Sequence, residues 1–143
     1  MQFLGIRNSA NEIRVAILEK KKSEEYDFIN WDSETKLKFP SSYDSDSEKI
    51  LWLDRELEAL YSRYSNLNSI SIKQNELTTR SGLTAALRRT SYFDGVVLLF
   101  AAKNGIPIYT YNGSYMFFEN RNIDIILSYQ GFTMFFGVLF SWL

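Results

Sequence analysis

Apolar and polar residues alternate along this chain with two different periods, and the switches between them predict its elements. Phe3, Leu4 and Ile6 make a short apolar run in residues 2–7. Ile13, Val15 and Ile17 take every second position of residues 12–19, and the turn cluster Asn8, Ser9, Ala10 and Asn11 predicts that these two strands form a hairpin. Residues 20–25 are charged and read as a solvated turn, with nucleic-acid contact by their lysines as the alternative. Residues 26–31 read as a third strand. Residues 32–46 are the longest irregular stretch, of a length often tied to function.

Ser45 and Glu48 then stand at capping-box spacing before Ile50, Leu53, Leu57, Leu60, Tyr61 and Tyr64, which predicts an amphipathic helix over about residues 46–64. Ile70 and Ile72 point inward from a strand over residues 69–73. The stretch 81–111 is the strongest local signal. Leu83, Leu87, Thr90, Asp94, Val97 and Ala101 recur every three or four positions, and Ala85, Ala86, Val96, Leu98, Leu99 and Ala102 thicken that face. Gly105 suits a left-handed residue just past a helix end, Pro107 forbids continuation, and residues 106–111 alternate like a short buried strand.

The resulting order is β-β-β-α-β-α-β followed by a tail. A three-stranded meander followed by αβαβ predicts an α/β fold, a mixed sheet with helices on its faces and right-handed crossovers. A chain of 143 residues with 45% hydrophobic residues suits one domain with one core. There is no Cys and no His, which excludes disulfides, thiolate or imidazole metal sites and His-dependent catalytic triads. Any catalysis must use carboxylates, Lys, Tyr, Ser or Thr, with a hard metal as the natural helper.

Net charge is −1, so bulk charge predicts no polyanion partner, but the charges are unevenly placed. Residues 24–63 carry eleven acids and five bases, and residues 66–105 carry five bases and two acids. Such segregation is ordinarily a solvated surface, and it can also make a basic face. The first residues lack the basic start and long apolar run of a signal peptide, which predicts folding in the cytoplasm.

The element order and local wording resemble the RNase H-like superfamily, in particular RuvC-like junction resolvases and small bacterial relatives. The resemblance is carried by Phe3-Leu-Gly-Ile-Arg7, by residues 70–76, by Asp94-Gly-Val-Val and by Asn104-Gly-Ile-Pro-Ile, and it spans residues 1–111. It implies a strand order of 3-2-1-4-5. It also implies a chemistry in which three or four carboxylates hold two Mg²⁺ ions that activate water against a phosphodiester. Here the sequence departs from the family. Arg7 stands where an acid closes the first strand, and a guanidinium cannot ligate a metal. Lys73 and Gln74 stand near the second acid's place, with Glu76 two or three residues late. Asp124 is the one candidate for the later acids.

Three functions follow. The leading one is a catalytically degenerate domain that binds nucleic acid or a protein partner, with no cofactor. Its expected phosphate contacts are Arg7, Lys73, Arg80, Arg88 and Arg89, with Arg7 and Glu76 forming an ion pair where metals would sit. Tyr92, Phe93, Tyr109 and Tyr111 are read as core and not as stacking platforms. The second is a divergent Mg²⁺-dependent nuclease acting on structured DNA or RNA–DNA hybrid through Glu76, Asp94 and Asp124. The third is a membrane-tethered module, because residues 125–143 contain no charged residue and would span about 28 Å as a helix. That anchor would face the cytoplasm. Residues 112–143 also admit a core helix, or an ending produced by truncation or a shifted reading frame.

Overall fold

The predicted hairpin forms, and its register sets the rest of the sheet. β1 (Gln2–Asn8) pairs antiparallel with β2 (Glu12–Lys20), placing Leu4 opposite Ile17, Ile6 opposite Val15 and Arg7 opposite Arg14. This computed structural model describes residues 1–23, 25–32, 35–74 and 84–112. On its other side β1 pairs parallel with β5 (Leu67–Gln74), the predicted fourth strand, and β5 pairs parallel with β6 (Ile108–Asn112), the predicted fifth. β3 (Tyr26–Phe28) lies outside β2. The order β3-β2-β1-β5-β6 is the one expected.

The third strand departs from expectation in an instructive way. It ends at Phe28, and a second short strand, β4 (Lys36–Lys38), pairs with the other half of β2. Between the two, the buried side chain of Asn30 stands in for the missing ladder. Its Oδ1 accepts from the Ile17 amide at 2.7 Å and its Nδ2 donates to the Val15 carbonyl at 3.4 Å. Strand pairing therefore switches partners midway along β2 without leaving these backbone groups unpaired. Asn30→Ala removes both bonds from a buried site and is expected to cost about 1–3 kcal/mol, read from chemical denaturation. Asn30→Asp keeps only the acceptor and should cost at least as much.

Strand alternation divides β1 between two faces. Leu4, Ile6 and Asn8 face α1 (Asp46–Arg63) and α2 (Ala85–Lys103), while Phe3, Gly5 and Arg7 face the other way. The main core lies on the helical face, where Leu53, Leu57 and Leu60 of α1 and Phe93, Val97, Phe100 and Ala101 of α2 pack on Ile13, Val15, Ile17, Ile70 and Ile72. A smaller cluster of Phe3, Leu18, Tyr26 and Phe28 occupies the opposite face. The helices end as the sequence indicates. Ser45 and Glu48 complete both halves of a capping box, with the Glu48 amide donating to Ser45 Oγ at 3.2 Å and the Ser45 amide to Glu48 Oε2 at 3.0 Å. Thr84 caps α2, and Gly105 takes φ +64° just past its end. Arg89–Asp46 (2.6 Å) joins the start of α2 to the first turn of α1, and Lys103–Asp54 (3.1 Å) joins the end of α2 to the middle of α1.

Candidate nucleic-acid interface

The register that builds the sheet also lines up its charges. Arg7 of β1 is paired in register with Arg14 of β2 on one side and with Lys73 of β5 on the other. Arg14 is paired in turn with Lys36 of β4. Residues in register share a sheet face, so Lys36, Arg14, Arg7 and Lys73 form one row across four strands, at the end where β1 and β5 finish. Lys38 stands two residues from Lys36 on the same face, opposite Glu12. Among the described residues at these positions there are five bases and one acid.

The row is electrostatically loaded. The Arg7 guanidinium is half-buried, and its pKa falls below the usual arginine value, first because burial disfavours the charge and then because Arg14 repels it. Glu12 is the local counter-charge. It accepts from Arg14 Nε at 2.7 Å, and that bond, with the charges of Arg14, Lys36 and Lys38, holds its carboxyl below the usual range against a smaller burial effect. Like charges directly opposite one another across a sheet are destabilising.

Asp94 lies on the helical side of the sheet and not on the face of the row. It is 8% exposed, and its Oδ1 accepts from Asn8 Nδ2 at 2.7 Å. Asn8 follows Arg7 and so points to the opposite face of β1. Asp94 therefore neither reaches the rim nor sits beside Arg7 and Lys73, but clamps α2 to the end of β1 from the helical side. Burial raises its pKa, and the Asn8 hydrogen bond acts in the opposing direction. A carboxyl whose folded pKa is raised holds its proton more tightly in the native state, so its contribution falls as pH rises from the ordinary unfolded value near about 4 through the folded one. Asp94→Asn keeps an acceptor for Asn8 without the charge. It should melt above the wild type at pH 7, with the difference closing below about pH 4. A difference independent of pH would contradict this account.

The remaining expected residues divide into two groups. Arg88 is exposed on α2, and Arg89 is engaged by Asp46. Glu76, Arg80 and Asp124 lie outside the described residues, and with them the expected Arg7–Glu76 ion pair and the apolar stretch 125–143. No described helix is long and apolar enough to cross a membrane. Among the described residues there is no group of three or more acids that could hold a metal ion. At the ends of β1 and β5, on the face that carries the row, the described side chains are Arg7 and Lys73, which offer no lone pair to a metal. Those residues do not fit the ions that the resemblance implies.

Sequence reasoning did not single out Arg14, Lys36 and Lys38, which the strand register adds to the row. Arg14 had a signal, since it alternates with Ile13 and Val15 and a hairpin across residues 8–11 brings it near Arg7. Lys36 and Lys38 flank a single apolar residue in what read as a loop. Phe93 is buried as expected, but Tyr92 and Tyr109 are 41% and 40% exposed and are not core.

No family model and no curated protein matches this chain. Solved structures do. A Thermus thermophilus RuvC in complex with Holliday junction substrate matches 79% of this chain and 66% of its own, with a TM-score of 0.63 at 12% identity. A second Thermus thermophilus RuvC structure matches 78% of this chain and 64% of its own, with a TM-score of 0.60 at 16% identity. The chain thus spans just under two thirds of those structures. At these identities the likeness shows the fold, an RNase H-like mixed sheet of the RuvC type with its helices.

Proposed function

We propose that this chain is a RuvC-like domain in which metal-dependent cleavage has given way to binding, with nucleic acid as the ligand. The observation that carries this reading is the placement of Arg7 beside Lys73 at the ends of the central parallel strands. A carboxylate there would attract cations; the side chains present attract phosphate. The binding of a Holliday junction by a Thermus thermophilus protein of the same fold supports nucleic acid as the ligand class. The test is incubation of the full chain with branched DNA and with RNA–DNA hybrid, in Mg²⁺ or Mn²⁺. The expected result is binding that weakens steeply with salt, without cutting. Specific cleavage abolished by Glu76→Ala would replace this reading with the nuclease one.

A protein contact is the second reading, and one observation favours it. The outer side of α2 exposes Tyr92, Leu98 and Leu99, with Gly95 among them facing open space. Three large apolar side chains within two turns, with charges on that side only at Arg88 and Lys103 beyond them, are more than scattered surface exposure. Size-exclusion profiles over a range of concentrations check it. A larger species that disappears in Leu99→Arg supports the contact, and an identical monomer profile for both proteins counts against it.

A further inference from the structure

We infer that the row Lys36–Arg14–Arg7–Lys73, together with Tyr109, is a binding site for single-stranded nucleic acid, the strand running across the β-strands at their shared end. This rests on the nucleic-acid reading above and names the form of ligand that the same site takes. Neighbouring strands lie about 4.8 Å apart, so the row extends over roughly 14 Å. It is transverse to the strands and lies on the surface of the sheet. A few consecutive phosphates of one chain can be met by successive cations along it.

Tyr109 is the second, independent observation. It sits on β6 in register with Ser71, two residues before the position opposite Lys73, and on the same face as the row. It is 40% exposed although its neighbours in register, Ser71, Gly5 and Ala16, are all buried. Its ring therefore lies about two residues, or roughly 7 Å, from the Lys73 end of the row along the strand direction. An exposed aromatic ring beside a line of cations is the combination that holds unpaired bases, by stacking, while the charges follow the backbone. Paired bases are already stacked on one another and leave Tyr109 without a role. Among the described residues the geometry also disfavours groove reading, because both described helices, α1 and α2, pack on the opposite face of the sheet.

The test measures fluorescence anisotropy of the full chain with a short oligothymidylate, the matching oligouridylate, a blunt duplex and a four-way junction, at about 50 and 200 mM salt. One of the single strands should bind at least tenfold more tightly than the duplex and the junction. Its affinity should fall with a log–log salt slope of about −2 to −3, the value for three or four phosphate contacts on a single strand. Tyr109→Ala should weaken binding about tenfold and leave the slope unchanged, since stacking releases no counterions. Lys36→Gln, an exposed change that spares the fold, should reduce the slope by about 0.7. Duplex or junction binding as tight as that of the single strands, or a Tyr109→Ala protein of unaltered affinity, overturns the inference and leaves the nucleic-acid reading standing. Failure to bind any of the four probes overturns both.

Discussion

Phe93→Ala is expected to remove a large share of the stability of this fold. Phe93 is fully buried at the centre of the main core. Its ring lies 4.8 Å from that of Phe39, which in turn meets Trp52 edge-on at 5.0 Å. This aromatic chain joins α2, the segment following β4, and α1, three elements that no single backbone ladder connects. Truncation leaves a cavity where all three meet, and such changes cost about 3–5 kcal/mol. Domains of ordinary stability have only about 5–15 kcal/mol in total. Urea denaturation of the variant should show a large drop in midpoint, and Phe93→Met, which retains most of the volume, a much smaller one. A loss under about 1 kcal/mol for Phe93→Ala would mean that the core is held elsewhere.

The elements and their order were legible because each has a local cause. Ser45 and Glu48 satisfy one another at the start of α1, and Gly105 and Pro107 stop α2, all within a few residues of sequence. The alternation of Ile13, Val15 and Ile17 reports the buried face of β2 directly. What was not legible depends on contacts distant in sequence. β4 is three residues with a single apolar position, Leu37, and it exists because half of β2 needs a partner once the chain turns away at Asn30. The role of Asp94 is decided by Asn8, 86 residues away. As a polar residue on an otherwise apolar stripe, Asp94 gave notice of some special contact, but not of which face of β1 would supply it. The site followed the same rule. Arg7 was conspicuous as a departure from the resemblance. The row emerges only when the registers of three strand pairs are combined, because Arg14 and Lys36 are unremarkable surface residues until β2 is placed between β1 and β4.

Arg7→Asp should abolish most of the binding, because it reverses the charge in the middle of the row. For the ligand, the change removes one phosphate contact and puts a negative charge in the middle of the row. Affinity for nucleic acid should fall by well over tenfold at low salt, and the salt slope should shrink by at least about 0.7. For the folded chain, the new carboxylate lies in register between Arg14 and Lys73. It replaces like-charge neighbours with opposite ones, each such cross-strand pair being worth about 0.2–1 kcal/mol. It also removes a guanidinium that burial and Arg14 both disfavour. The melting temperature, measured on the same variant, separates a loss of the phosphate contact from a loss of the fold. Cleavage should not appear with Mg²⁺. A single carboxylate at this position cannot hold two ions, and Asp94 is committed to Asn8 on the far side of the strand. Should the variant cut branched DNA, Arg7 alone would be what separates this chain from an active nuclease, and the remaining ligands would have to come from Glu76 and Asp124.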